Sequence, residues 1–114
     1  DVHLVESNQR KCAFLREAAR KTGANADIHN RRIEDLEPLD AGVITARAVA
    51  PLRRLLELCA RQIKPATLCL FPKGHNVDVE LTEATKYWKL SLEILPSISD
   101  PRGRILRLEG VVPC

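Results

Sequence analysis

Apolar positions along the chain change period several times, and each change marks an element. Residues 2–5 (VHLV) form a short apolar run that ends at Glu6 and predicts a strand. Behind it, Ser7 or Asn8 can cap a helix of about four turns that closes at Gly23. In that helix Cys12, Leu15 and Ala19 share one face, with Phe14 and Ala18 widening it. Arg10, Lys11, Glu17 and Lys21 face outward, and Glu17 and Lys21 make a favourable i,i+4 pair. Asp27, Ile28 and His29 predict a brief second strand. Residues 30–37 (NRRIEDLE) then read as a single helical turn packed by Ile33 and Leu36.

Pro38 breaks the chain. Residues 40–46 (DAGVITA) predict a third strand centred on Val43, Ile44 and Thr45, with Arg47 just past its end. Pro51 suits the first position of a helix. The stripe Leu52, Leu55, Leu56, Cys59 and Ile63 gives that helix an apolar face, and Arg53, Arg54, Glu57 and Arg61 lie on its wet side. Lys64 and Pro65 end it. Residues 67–71 (TLCLF) are nearly continuous in apolar character, as expected of a strand covered on both faces, and residues 72–74 close that strand. A short helix follows around residues 77–84. The period then drops to two: Trp88, Leu90, Leu92 and Ile94 alternate with Lys89, Ser91 and Glu93, a strand with one exposed face. A turn-rich link over residues 99–103 leads to a last strand at residues 104–112, antiparallel to its predecessor. The β-α-β-α-β order followed by a strand pair predicts a three-layer α/β sheet.

At 114 residues there is room for one domain and one core. The formal net charge of +3 permits contact with a polyanion without demanding it. Phe14, Phe71, Tyr87 and Trp88 are too few to build a series of base-stacking platforms. Cys12, Cys59, Cys69 and Cys114 fall at no zinc spacing, and their places in the elements favour buried thiols and a reducing, cytoplasmic setting. The longest apolar runs are far too short to span a bilayer. The chain begins at Asp1, directly in a strand, so an amino-terminal piece is expected upstream.

The sequence carries no GxSxG, HExxH or GxxxxGK[ST] motif, and His3, His29 and His75 form no metal-spaced cluster. His3, in an apolar strand, reads as a satisfied core histidine. Polar residues nonetheless stand at four strand ends: Glu6, Ile33-Glu34 shortly after His29, Arg47, and Lys73 beside Gly74. In an open parallel sheet the carboxyl ends of the strands share the edge where ligands bind. One acid there can hold ribose hydroxyls while a second acid and backbone groups read a base edge. Glu6 as a plain turn residue is the alternative. Arg47 can hold a carboxylate or orient its loop, or it can pair with Glu34 or Glu6 in a structural salt bridge. Lys73 can meet a phosphate or remain a surface lysine beside a turn.

The stretches VHLVESNQRKCAFLREAARKTG, NRRIEDL, VITARAVAPLRRLLELC and FPKG together resemble the bacterial small-subunit rRNA guanine-N7 methyltransferases, also called glucose-inhibited division protein B. The resemblance covers essentially the whole chain. It implies a class I S-adenosylmethionine-dependent methyltransferase fold, a Rossmann-like three-layer sandwich. Residues 1–114 would be the carboxyl-terminal part of a single methyltransferase domain, incomplete at its amino terminus. It implies methylation of guanine N7 in the 530 loop of 16S rRNA, with S-adenosylmethionine as cofactor. The partner would be 16S rRNA or the small ribosomal subunit, and the protein a monomer needing no metal and no membrane. Residue by residue, Glu6 matches the acid near the cofactor ribose, Ile33 and Glu34 the pair at its adenine end, and Arg47 the arginine of the cofactor pocket. Lys73 and Gly74 match the substrate-facing rim after the fifth strand.

Two departures accompany the resemblance. The family's first strand and its glycine-rich loop lie upstream of Asp1, so the edges beside that strand would be unpaired and cofactor binding by these residues alone weak. Pro72 before Lys73 is the second. Guanine N7 is already a nucleophile, so alignment with the methyl donor is the main demand, and no catalytic acid–base residue is assigned. Arg53, Arg54, Lys64 and Lys73 are candidate phosphate contacts; a solvated helix face is the alternative for Arg53 and Arg54. A nucleotide-dependent oxidoreductase would share the acid after the strand but gains nothing from TARAVAPL. A non-catalytic RNA-binding or structural remnant is the stronger competing reading.

Overall fold

The apolar run Val2–Val5 forms β1, parallel to β2 (Ala26–His29), from Val2 opposite Ala26 to Val5 opposite His29. These strands belong to a computed structural model that describes residues 1–47, 50–74 and 76–114 and divides into two units, Asp1–Glu37 and Pro38–Cys114. A parallel pair needs a crossover, which α1 (Gln9–Thr22) supplies. Asn8, in extended backbone, caps α1: its Oδ1 accepts the N–H of Lys11 at 3.0 Å. At the other end Gly23 turns left-handed at φ 71° and donates its N–H to Ala19 O. Cys12 is fully buried and Leu15, Ala18 and Ala19 half-buried, as the stripe predicts. Phe14 departs from the expectation and is 71% exposed. At about 100° per residue it stands some 200° round the helix from Cys12, on the opposite flank. After β2 comes a 3₁₀ turn, Ile33–Asp35, anchored by the buried Leu36.

In the second unit β3 (Val43–Thr45), β4 (Leu68–Lys73), β5 (Trp88–Pro96) and β6 (Arg104–Pro113) form one sheet in the order β3-β4-β6-β5. β3 and β4 are parallel, and β6 is antiparallel to both of its neighbours. Two helices accompany the sheet, α2 (Leu52–Cys59) and α3 (Val77–Ala84). Leu52, Leu55, Leu56 and Cys59 are buried as their spacing requires. Pro51 sits just outside α2 rather than at its first position, and after Cys59 the chain tightens into a 3₁₀ turn, Ala60–Gln62. Ile63 therefore falls beyond the helix, and the buried residue is Gln62, whose Oε1 accepts the N–H of Leu39 at 2.9 Å.

One face of this sheet carries the core. Cys69 and Phe71 on β4 lie beside Leu108 and Leu106 on β6, and all four are fully buried. On the other face Leu68 and Leu70 keep partial exposure, so in this unit β4 is fully covered on one face only. There Arg107, opposite Leu70, bridges Glu93 at 3.9 Å and Glu109 at 2.6 Å. β5 also departs from simple alternation. Leu92 and Ile94 pair with the buried Leu108 and Leu106, yet they are 41% and 42% exposed because β5 is the edge strand. Between Lys89 and Ser91 the register shifts, and Gly110, at φ 59°, takes up the extra residue of β6. The shift turns Val111 inward to 3% exposure. β1 and β3 each pair with a strand on one side only among the described residues.

Candidate functional site

Glu6 follows β1 directly, and its backbone N–H donates to His29 O at 3.0 Å, which holds it against the end of β2. Its carbonyl accepts the thiol of Cys12 at 3.1 Å, and its carboxylate Oε2 accepts the N–H of Asn8 at 3.0 Å. The Lys11 ammonium stands 3.9 Å from Oε1. A carboxylate offers about four acceptor positions, so with one amide bound it retains capacity for hydroxyl donors. Because β1 and β2 run parallel, the turn carrying Ile33 and Glu34 leaves the same end of the pair as Glu6. The structure thus brings Glu6 and the Ile33–Glu34 turn to one sheet edge, both half-buried. His3 is satisfied as expected, by an unexpected partner. Its Nδ1 lies 3.0 Å from His29 Nε2, with the rings stacked at 5.2 Å.

Arg47 follows β3 with an exposed side chain; Ala48 and Val49 lie outside the described residues, as does His75. At the end of β4, Lys73 points inward. Its side chain is 9% exposed, and its Nζ donates to Ala50 O at 2.7 Å and pairs with Glu80 Oε1 at 3.0 Å. The same Glu80 oxygen accepts the N–H of Leu52, the first residue of α2, at 2.8 Å. Gly74 beside it is exposed, with open space where a Cβ would stand.

The other cations singled out from sequence are also engaged. Arg53 reaches Glu57 at 3.3 Å and Glu83 at 2.8 Å, and its guanidinium lies 3.8 Å above the Tyr87 ring. Lys86 first, and Arg53 with it, hold the Glu83 carboxyl below its ordinary value. Arg54 stands 3.4 Å from Glu57, and Lys64 pairs with Asp40.

A groove of about 420 Å³ opens at this end of β4, lined by Gly74, Asn76, the first turn of α3, Ile94, Arg102 and Arg104. Asp100 orders the turn that carries Arg102: its carbonyl accepts the N–H of Gly103 at 3.0 Å and its Oδ1 that of Arg102 at 2.9 Å. Arg104 fastens the same turn by donating to Gly103 O at 2.8 Å and Pro101 O at 3.3 Å. Sequence reading took 99–103 for a link and passed over these arginines. The signal it held was a pair of arginines flanking a glycine that must pack tightly. Among the described residues no cluster of three or more His, Cys, Asp or Glu side chains can hold a metal, and no helix is long and apolar enough to cross a membrane.

Residues 1–104 match the family model described as GidB: rRNA small subunit methyltransferase G. Ribosomal RNA small subunit methyltransferase G of Rhodospirillum centenum is 49% identical over 113 residues, covering 99% of this chain and 52% of that protein. The protein of the same description from Gluconobacter oxydans is 50% identical over 107 residues, covering 94% of this chain and 55% of its own. The chain therefore spans about half the length of the curated relatives it matches. Among solved structures, precorrin-6Y C5,15-methyltransferase of Geobacter metallireducens aligns with TM-score 0.59 at 13% identity, over 93% of this chain and 65% of that one. A mutant of MtNAS aligns with TM-score 0.65 at 18% identity, over 99% of this chain and 44% of that one. At these identities the likeness is one of fold. That fold is the Rossmann-like class I methyltransferase fold.

Proposed function

The chain belongs to the GidB family, rRNA small subunit methyltransferase G, and on that premise we propose that it serves S-adenosylmethionine-dependent methylation of guanine N7 in 16S rRNA. The observation that carries the reading is the common edge of β1 and β2, where Glu6 and the Ile33–Glu34 turn stand together. The donor set fits the cofactor: a carboxylate with spare acceptor capacity for ribose hydroxyls, and a half-buried isoleucine to lie against an adenine. Arg47, just past β3, completes the assignment as the cofactor-pocket arginine. When bound, S-adenosylmethionine supplies an activated methyl group. The residues of this chain hold and orient; none needs to remove a proton, because N7 presents an in-plane lone pair.

The RNA is held through its phosphates at the groove beside Gly74, with Arg102 and Arg104 as the cations that line it. The partner is the small ribosomal subunit or its 16S rRNA, and the setting cytoplasmic, with the protein a monomer. The chain forms the carboxyl-terminal part of one methyltransferase domain. That the chain spans about half the length of the relatives it matches supports its being part of one such domain.

Calorimetric titration of the natural protein carrying this chain with S-adenosylmethionine, followed by methyl transfer to small subunits, tests the proposal. Binding that weakens in Glu6→Ala and Arg47→Ala, with methyl transfer to guanine N7, is the expected result. RNA binding by a folded protein that takes no S-adenosylmethionine overturns it and leaves the non-catalytic RNA-binding reading.

A further inference from the structure

We infer that the groove beside Gly74 takes one unpaired nucleotide of the RNA, base as well as phosphate, and that Asp78 reads the N–H edge of that base. The inference deepens the RNA-binding part of the function proposed above and rests on it. The groove lies wholly within the second unit. It forms where β4 and β5 end and β6 begins, with Arg104 paired to Lys73 on one side and Pro96 on the other.

Its lining is not that of a simple phosphate cradle. Arg102 and Arg104 reach it from the turn before β6, Asp78 and Val79 from the first turn of α3, and Ile94 from β5. A phosphodiester asks for cations and amide donors, and gains nothing from a carboxylate or from aliphatic side chains. Here an acid and two exposed aliphatic groups share the lining, and Val79 is 70% exposed. A nucleobase uses both: its face lies on apolar surface, and its N–H edge donates to an acceptor.

The charged groups are free to act. Neither the Asp78 carboxylate nor the Arg102 guanidinium has a hydrogen bond or ion pair among the described residues. Arg104 is tied down instead, since its Nη1 donates to Pro101 O and Gly103 O, leaving three of five N–H donors. A volume of about 420 Å³ lies near the lower end for small-molecule sites, which suits one nucleotide and not a helical stem. Within a duplex the base faces are stacked and the pairing edge is used, so only an unpaired nucleotide offers both. A carboxylate only accepts, through two oxygens side by side. Guanine carries two adjacent donors on its pairing edge, N1–H and the N2 amino group, and can satisfy both oxygens at once.

The test uses the natural protein and single-stranded pentanucleotides, uridine throughout except for a central guanosine, inosine or abasic residue, with a blunt RNA duplex beside them. Affinity is read by fluorescence anisotropy over a range of salt. Guanosine should bind at least about fivefold tighter than inosine, which lacks the N2 amino group, and tighter again than the abasic residue. Asp78→Ala should erase the difference between guanosine and inosine with the salt slope unchanged. Val79→Ser should weaken the guanosine oligomer towards the abasic one. Both positions are exposed, so neither change touches the core. Arg102→Ala should weaken all three oligomers and lower the slope by about one. A wild type blind to the central residue, with Asp78→Ala binding every oligomer more tightly, overturns the inference and leaves a groove for phosphate alone. Duplex bound as tightly as single strand overturns it as well. Absence of S-adenosylmethionine binding is a separate result: it refutes the methyl transfer proposed above and not the groove, because the oligomers are read without cofactor.

Discussion

His3 and His29 meet diagonally across the parallel pair of β1 and β2, with His3 Nδ1 3.0 Å from His29 Nε2 and the rings stacked at 5.2 Å. One of these two nitrogens donates and the other accepts, and Asp27 Oδ2 stands 3.8 Å from His3 Nδ1 on the same half-buried surface. His29→Phe keeps the stacked ring but removes this partner of His3 Nδ1, leaving it Asp27 at 3.8 Å, and should lower stability by about 1 kcal/mol. The double change His3→Phe with His29→Phe removes both partners and should recover most of that loss. Urea unfolding midpoints of the three proteins decide it; a double variant no better than the single one would show that the bond is not the source.

The thiols divide by burial. Burial, and the neighbouring Cys59 after it, push the Cys69 thiol up to about 11, so it stays protonated and inert at neutral pH. Cys12 and Cys59 are buried as well, and Cys114 is exposed. A thiol reagent at neutral pH should label Cys114 alone in the native protein and all four cysteines in denaturant. Rapid native labelling of Cys69 would show that the face shared with Leu108 opens readily.

Arg53 stacks on Tyr87 and pairs with Glu57 and Glu83. Arg53→Ala should lower the unfolding midpoint, through loss of the cation–π contact and the paired carboxylates. Tyr87→Leu should reproduce most of that loss. The salt slope of RNA binding should remain that of the wild type, and a reduced slope would place Arg53 on the RNA instead.

Glu83 supplies the acid dependence. Its carboxyl is held below the ordinary value by Lys86 and then Arg53, so the folded state binds its proton less readily than the unfolded chain does. The resulting stability is fully present above the unfolded value, about 4.3, and is lost as pH falls through the lower folded value. Glu83→Gln should therefore be less stable than wild type at neutral pH, and the two stability curves should converge as pH drops below about 4. A gap that stays constant with pH would rule out the carboxylate charge as its cause.

Gly103 is fixed by packing. A Cβ there would stand 3.0 Å from Ser97 Cβ and 3.3 Å from Asp100 Cβ. Gly103→Ala should cost about 1–3 kcal/mol through overpacking and should disturb Arg104, which donates to the Gly103 carbonyl. Thermal denaturation, with RNA affinity alongside, measures both effects. An undisturbed melting temperature would mean that the turn yields easily.

Most elements were legible in the sequence because their signals are local. The Asn8 and Gly23 caps, the stripe Leu52, Leu55, Leu56 and Cys59, and the pairing of the last two strands follow from spacing and turn residues. What escaped depends on residues remote in sequence. Nothing near Gln62 announces that it meets Leu39, and nothing near Lys73 announces Ala50 or Glu80. The alternation of β5 predicts a covered face, but edge position in the sheet order decides how well Leu92 and Ile94 are covered. For the site, Glu6 and the Ile33–Glu34 turn were readable as strand ends. Arg102 and Arg104 were not, because the groove exists only once the turn before β6 meets the start of α3.

The sheet order also constrains how the chain is made. β6 comes after β4 and β5 in sequence but lies between them, and neither of those strands bonds the other. As the polypeptide leaves the ribosome, β5 has no sheet to join until residues 104–113 have followed it out. This unit is therefore assembled out of order, an interior strand last. A nascent chain stalled before Arg104 would leave β5 unpaired and one edge of β4 open, a natural substrate for chaperones.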